Sequence, residues 1–524
     1  MISDNNQKNE HSEILEQKRT AKGICNYLAS NSAKGLYDIL KTSLGPFGKF
    51  KMLISKNGDL KITKEGLTLF SDMQIQNPFA ILISKSIINQ KNFLGDGTLS
   101  IITLLGEMFK SIESALQDNI HPEKILRGIN MGYNYLKKNL SDYSSYLKID
   151  RNNIFKCALS VIGTKFNSSF SEKLSKIVTD SFMTIYRNSQ EIDLNLIEIL
   201  QIDSPNESDC KWIKGVVLDH GIRNNTVPLI TKNVFILLIN FNLEYEKTEN
   251  NSSFIYKSTK QYEKFAIFEQ ELLKKKINKI IQIKRIVCKN NNNSFMVINQ
   301  KGIDSFSLDS LAKENIIAVR RAKKKNLERI SLLCNCMPIN SIDDIKLEYL
   351  GFAGLVYEQI IGEDRYTFIE NVTNPFSGTI LIKGKSSMIR NQVENVLKNS
   401  LKSIKSFIYD KKTLPGGGFI ECQLYKKLVE FSKNSIEKNR IGVIILANGL
   451  LGVPKCLFEN YIFKKNKKKN QILNDNEWIT DIILSNKSPD ILDGYSIKLN
   501  ILEQAVAITN QILNIDEIIM GCGI

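Results

Sequence analysis

An aspartate set between two glycines and followed by a threonine, Gly95-Asp96-Gly97-Thr98, leads straight into a run of apolar residues at helical spacing. These residue types suit the holding of a phosphate and its metal. Glycines let a backbone approach a ligand closely, and the free N–H groups of a helix start attract an anion. A carboxylate there suits Mg²⁺, which usually bridges protein carboxylates and nucleotide phosphates. The same four residues also make an ordinary turn and N-cap, so the motif alone leaves both readings open. Two more glycine loops, Leu44-Gly45-Pro46-Phe47-Gly48 and Pro415-Gly416-Gly417-Gly418, are by themselves turns. None of the three follows the P-loop pattern, and no strand leads into G-x-G-x-x-G, which disfavours a P-loop NTPase and a dinucleotide site. The three histidines, His11, His121 and His220, have no ligand spacing, and Cys334 and Cys336 form a lone C-x-C. Histidine triads and zinc centres are therefore not expected.

The elements that must position these loops read as helices, then an α/β insert, then helices. Residues 98–118 place Ile101, Ile102, Leu105, Phe109, Ile112 and Ala115 three and four apart, which predicts an amphipathic helix. Short strands are expected at 50–54 and 60–63, joined by an Asn57-Gly58 turn. From 213 to 372 the character changes. The run Val234–Ile239 suits a buried strand, 258–285 a long helix, 295–298 and 316–319 further strands, and a basic helix follows from Arg321. Strands alternating with helices indicate a separate α/β domain. Residues 379–383 predict one more strand, and after Met388 helices return.

Composition sets the outer limits. A chain of 524 residues has room for three or four domains. Residues 1–12 are polar and expected to be disordered, with no basic start and apolar stretch of a secretory signal. The densest apolar runs, 234–239 and 442–446, fall far short of the ~20 residues that span a bilayer. A soluble protein of a reducing compartment, with its nine cysteines as free thiols, is expected. The net charge of +16 sits largely in three basic runs, 274–276, 320–325 and 464–469. None is interleaved with aromatics as a base-stacking surface would be. Asn and Ile are abundant along the whole chain, so the bias is global and nucleic-acid binding is not expected. The Lys/Asn segment 464–470 reads as a solvated loop.

The order LGPFGKFKML (44–53), ITKEG (62–66), GDGTLS (95–100), PGGG (415–418) and LDGY (492–495) resembles the nucleotide site of the group II chaperonins. The segments MQIQNP (73–78), GVVLDHGIR (215–223), LEYEKTE (243–249), VINQKGID (297–304) and RRAKKKNLER (320–329) are similar to the zeta class of the eukaryotic cytosolic chaperonin, CCT or TRiC. The resemblance implies a multidomain chaperonin fold of α and α/β parts. An equatorial domain would comprise 1–145 and 402–524, and a small intermediate domain 146–212 and 373–401. An apical, client-binding domain would span 213–372, with a helical protrusion at about 243–285. It implies an ATP-dependent chaperone subunit in a hetero-oligomeric double ring in the cytoplasm. ATP and Mg²⁺ would be its cofactors, and unfolded, actin- and tubulin-like proteins its clients. No nucleic acid and no membrane is implied as a partner.

By the same resemblance, Asp96 takes the Mg²⁺-ligand position and Gly45, Gly97, Thr98 and Ser100 take phosphate positions, with Pro46 and Leu99 inside the same two motifs. Gly416 and Gly417 fall on the ribose side and Asp493 near the nucleoside. Ser160 lies near the nucleotide in the segment ALSVIGTK (158–165), which also holds Thr164 and Lys165. Two catalytic positions depart from the family. Glu65 stands where relatives carry aspartate, and Asn399, sixteen residues before Pro415, stands where they carry another. An extra methylene displaces the first carboxylate, and an amide at the second position cannot act as a general base. Phe47 replaces the usual lysine and Leu99 a threonine, and Glu459-Asn460-Tyr461 stands for the Asn-Ala-Gly near the adenine. Two readings stay open: a slow ATP-hydrolysing chaperonin subunit, or a mainly structural ring subunit that binds nucleotide.

Overall fold

The computed structural model describes residues 24–54, 58, 60–187, 191–204, 209–222, 228–244, 259–289, 293–434, 437–464 and 491–518. The polar stretch 1–12 with His11, Asn57 of the expected turn, and 465–470 of the Lys/Asn segment lie outside these residues. The chain forms two compact units, Met1–Thr179 with Asn395–Ile524, and Asp180–Glu394.

The first unit opens with α1 (Ile24–Leu40), the antiparallel pair β1 (Lys51–Ile54) and β2 (Leu60–Thr63), α2 (Gly66–Asp72) and α3 (Pro78–Leu94). It continues through α4 (Thr98–Gln117), α5 (Pro122–Asn139), β3 (Ser145–Tyr146), α6 (Arg151–Ile162) and the start of α7 (Ser168–Ile185), whose residues from Asp180 on belong to the second unit. Helix α4 realises the expected amphipathic stripe. Ile101, Ile102, Leu105, Phe109, Ile112 and Ala115 are all buried, and the helix contributes much of the large core of the unit.

The second unit carries β4 (Ile197–Asp203), β5 (Asp209–Ile213), β6 (Gly215–Leu218), β7 (Ile230–Ile239), α8 (Thr259–Val287), β8 (Ser294–Asn299), α9 (Ser305–Lys313) and β9 (Ile316–Val319). After α10 (Lys324–Cys334) come β10 (Gly351–Ile361), β11 (Asp364–Val372) and β12 (Gly378–Gly384). Six strands form one sheet in the order β6-β11-β10-β7-β8-β9, with β7, β8 and β9 parallel. The parallel strands β8 and β9 are almost wholly buried, as expected when both faces are covered. A second sheet, β4-β12-β5, is stitched by Arg329, which donates to the Gly378 carbonyl at 2.7 Å, to Thr379 and Ser377, and to the Glu198 carboxylate. The expected basic helix starts at Lys324, three residues late. Arg321 has φ 57°, outside the helical region, and its N–H is given to the Lys301 carbonyl. Much of the basic run 320–325 is spent internally: Arg320 donates to the Ile303 carbonyl and Lys323 to Asp219.

The chain returns to the first unit along α11 (Ser387–Asp410) and continues with β13 (Lys412–Pro415), α12 (Phe419–Lys433), α13 (Glu437–Lys464), β14 (Leu492–Gly494) and α14 (Tyr495–Leu513). Strands β14, β13 and β3 make a small sheet. No continuous apolar run of α13 is long enough to span a bilayer. Within its stretch Asn439–Ile462, however, an 18-residue window has a mean hydropathy of 1.9 and is long and apolar enough to cross a membrane. Val443, Ile445, Leu446, Leu450, Val453 and Cys456 are buried in the core of the unit, so the apolarity of α13 serves protein packing. The cysteines Cys25, Cys157, Cys334, Cys336, Cys422 and Cys456 are buried free thiols. Among the described residues no cluster of metal-ligating side chains occurs.

Candidate functional site

The glycine loops and the late Leu492–Gly494 strand, far apart in sequence, wall one cavity of about 530 Å³ in the first unit. The loop after α1 contributes Gly45, Pro46 and Phe47, and the start of α4 contributes Asp96, Gly97, Thr98, Leu99 and Ser100. Helix α6 and its exit bring Lys156, Ser160, Thr164 and Lys165, and the far wall holds Gly417, Gly418, Asp493 and Lys498. Gly416 stands behind this wall: a Cβ there would lie 2.9 Å from the Asp493 carboxyl.

Local backbone demands explain two of the glycines. Gly97 is the N-cap of α4 with φ 93°, a left-handed conformation that side chains resist. It turns the chain so that the first N–H groups of α4 open on the cavity. Gly45 has φ 78°, and a Cβ there would fall 2.3 Å from the Leu457 side chain. Gly45 and Gly48 close a turn with Pro46 and Phe47 at its tip, the Gly48 N–H donating to the Gly45 carbonyl at 3.2 Å. Asn460, buried on α13, donates to the carbonyls of Lys41 and Leu44, both at 3.0 Å. Buried Lys64 donates to the Thr164 carbonyl at 2.6 Å and to Pro46 at 3.4 Å. The walls are thus pinned by hydrogen bonds that a substrate need not supply.

Charge is distributed unevenly. Among the described residues the Asp96 carboxylate has no hydrogen-bond or ion-pair partner, and neither does the Lys156 or Lys165 ammonium. One carboxylate free of protein partners at a helix N-terminus fits a Mg²⁺ ion that also takes phosphate oxygens. Lys498 is committed instead. It pairs with Asp493 at 3.0 Å and with Glu421, whose second oxygen is buried without a partner. Burial alone would lower the Lys498 pKa, but Asp493 and Glu421 outweigh it and hold the ammonium above the usual lysine range.

Asp96, Thr98 and Lys165 also border a smaller chamber lined by Glu65, Gly95, Val161, Val396 and Asn399. Glu65, the N-cap of α2, is buried, and its Oε1 accepts a hydrogen bond from the Asn399 Nδ2 of α11. The two departing positions therefore touch each other beside Asp96. At the other end of the main cavity the wall is apolar. Val453, Leu457 and Tyr461 lie four apart along one face of α13, and the Tyr461 ring meets Phe47 at 5.4 Å.

A cavity with a helix start open to anions, an unpaired carboxylate and an apolar end has the chemistry that would suit a nucleoside phosphate and its metal. The sequence profile of the TCP-1/cpn60 chaperonin family matches residues 36–521. The chain belongs to this chaperonin family. It is 38% identical over 497 residues to the human T-complex protein 1 subunit zeta-2, covering 93% of this chain and 94% of that one. To the mouse protein of the same name it is 36% identical over 496 residues, 93% of each. Both chaperonin halves of the site, early and late in the chain, fall within the matched span.

Sequence motifs alone pointed to neither Lys156 nor Lys498 nor the α13 stripe of this chaperonin. The repeat Val453-Leu457-Tyr461 was a readable helical face, but nothing in sequence says which face of α13 meets a ligand. Asn460, grouped with Tyr461 by motif, turns out to serve the backbone of the Gly45 loop, while Tyr461 faces the cavity.

Proposed function

We propose that this chaperonin chain is a Mg²⁺–ATP-binding subunit of a cytoplasmic, hetero-oligomeric double ring that assists folding of unfolded proteins, actin- and tubulin-like ones among them. The observation that carries the nucleotide reading is the convergence of Gly45, Asp96–Ser100, Gly417 and Asp493 on one cavity. The helical unit takes the equatorial role, and the α/β unit takes the apical role with α8 as its protrusion; intermediate segments lie at 146–212 and 373–401.

In this reading the N–H groups at the start of α4, with Thr98 and Ser100, hold phosphate oxygens, and Lys165 adds positive charge. Gly45 and Gly417 let the backbone come close, Ser160 and Asp493 lie along the nucleoside side, and Gly416 supports Asp493. Asp96 would hold Mg²⁺, which neutralises phosphate charge when bound. Glu65, oriented by Asn399, is the carboxylate left to accept a proton from the attacking water. Asn399 itself can only hydrogen-bond that water.

Two measurements test this. Asp96→Ala is expected to weaken Mg²⁺–ATP binding at least about tenfold while leaving metal-free ATP binding nearly unchanged. Equal losses with and without Mg²⁺ would contradict the metal assignment. Phosphate release from the assembled ring, with the neighbouring sites disabled, then reads hydrolysis by this chain. Slow turnover abolished by Glu65→Gln supports hydrolysis. No turnover favours the second reading, a nucleotide-holding structural subunit, for which the amide at Asn399 speaks.

A further inference from the structure

The carboxylate in the small chamber beside Asp96 is held at its backbone as well as at its tip. Glu65 is the N-cap of α2, a position whose side chain ordinarily accepts from the first helical N–H groups. Its carboxylate makes no capping hydrogen bond. Two threonines hold the chain there instead. The Glu65 N–H donates to the Thr63 Oγ1 at 3.0 Å, and the Thr68 hydroxyl donates to the Glu65 carbonyl at 2.9 Å. The two hydroxyl oxygens lie 2.8 Å apart. A hydroxyl has one proton to give. That of Thr68 goes to Glu65, so Thr63 donates to Thr68 and the hydrogen bonds close a circuit.

Each link alone is ordinary, since threonine hydroxyls often bond to nearby backbone groups in turns and at helix starts. Closed together, they fix both backbone polar groups of one residue. The circuit is anchored on either side. Thr63 ends β2 and pairs with Lys51 of β1, and the Leu69 N–H of α2 donates to the same Glu65 carbonyl at 3.2 Å. At the far end of the side chain, Asn399 donates to Oε1. A glutamate side chain is among the costlier ones to order, and fixing its root and its tip leaves little freedom between them. Neither threonine lines the main cavity or the small chamber, so the circuit reaches a ligand only through Glu65.

We propose that Thr63 and Thr68 are positioning residues for ATP hydrolysis, their circuit fixing the root of Glu65 so that its carboxylate stands where the attacking water loses its proton. This deepens the proposed function and rests on its reading of Glu65 as the proton acceptor. In that step the water oxygen bonds to the terminal phosphorus of ATP, and the bond from that phosphorus to the ADP oxygen breaks with its electron pair. The water proton goes to a Glu65 oxygen. A misplacement of about 1 Å near reacting atoms costs about a hundredfold in rate, so the backbone under a proton acceptor is a place where two hydroxyls count.

Phosphate release by the assembled complex, with the neighbouring sites disabled and Mg²⁺–ATP varied, gives a maximal rate and a half-saturating concentration for this chain. Thr68→Val keeps the branched shape and removes the hydroxyl. It is expected to lower the maximal rate about tenfold or more and to leave half-saturation within about twofold of native. Thr68→Ser, which keeps the hydroxyl, is expected to restore the rate. Thr63→Val opens the circuit at another link and is expected to act as Thr68→Val does, so it carries the test should Thr68→Val fail to fold. Rate and half-saturation worsening together would assign the threonines a general structural role and overturn the proposal, as would a rate that Thr68→Ser does not restore. If native turnover is abolished by Glu65→Gln while both valine variants release phosphate at the native rate, the positioning role alone falls. If the native chain shows no turnover, or turnover that Glu65→Gln leaves unchanged, the reading of Glu65 is refuted and the positioning role falls with it.

Discussion

Asn399→Asp is expected to raise ATP turnover by this chain about a hundredfold near pH 8.5, the lower range for a positioned general base, with little change in Mg²⁺–ATP affinity. The affinity should hold because Asn399 borders the small chamber and not the main cavity. The gain should depend on pH. In the native chain the Asn399 amide donates to Glu65 Oε1. An aspartate there faces a carboxylate in a buried setting, and two carboxylates sharing a site hold one proton more tightly than either would alone. At low pH that shared proton restores a hydrogen bond but occupies the base. As pH rises the proton leaves, the base is freed and turnover climbs. The same proton sets the cost. A carboxyl whose folded-state pKa is raised favours the fold while protonated, so the variant's stability should fall as pH rises from the ordinary carboxylate range through the raised value. Adding Glu65→Asp withdraws one carboxylate by a methylene, which should relieve repulsion and flatten both profiles. Single-turnover phosphate release across about pH 6 to 9 reads the first effect and thermal melts the second. Turnover unchanged at every pH, with affinity intact, would mean that position 399 does not limit hydrolysis.

That pair also marks the boundary of what the sequence could tell. The stripe of Ile101, Ile102, Leu105, Phe109, Ile112 and Ala115 announced α4 because amphipathic spacing is a local property, and the structure buries all six. The strand run Val234–Ile239 was equally local, and the structure extends it back to Ile230. Motif order supplied the family, and the family supplied the positions of Asp96 and its glycines. What stayed hidden depends on packing between distant segments. Glu65 and Asn399 are 334 positions apart, and no spacing rule announces that one amide will orient the other's carboxylate. Lys498 is another case. On α14 its spacing from Ile497 and Ile501 reads as a flank of a core helix, and only the fold brings Glu421 of α12 against it. The three-residue delay of α10 was hidden too, since the left-handed Arg321 responds to the Lys301 carbonyl.

Lys498→Met is expected to destabilise the helical unit by about 3–5 kcal/mol at neutral pH, as removal of one partner from a buried ion pair does. The Lys498 side chain is 12% exposed and that of Glu421 only 6%. Methionine keeps most of the stem volume, so the loss is mainly electrostatic. It leaves Glu421 without its Lys498 ion pair and with Oε2 already lacking a hydrogen bond. In the native chain, the raised lysine pKa means that the pair's contribution is fully present below the ordinary lysine range. It is lost only as pH rises through the higher folded value, so native stability should be flat in this respect across neutral pH. The variant should behave differently. Its stranded carboxylate favours protonation, so the deficit should shrink as pH falls toward about 5 and grow again above it. Glu421→Gln in the same background removes the stranded charge and should recover much of the loss at neutral pH, because replacing both partners of a buried pair is often nearly neutral. Asp493, released from Lys498, would lose its fixed orientation beside the nucleoside, so ATP affinity should weaken in the double variant even where stability returns. Melts and ATP titrations of the single and double variants separate the two roles. A Lys498→Met chain that melts as the native one does at neutral pH would show that the Lys498–Glu421 contact carries no net stability.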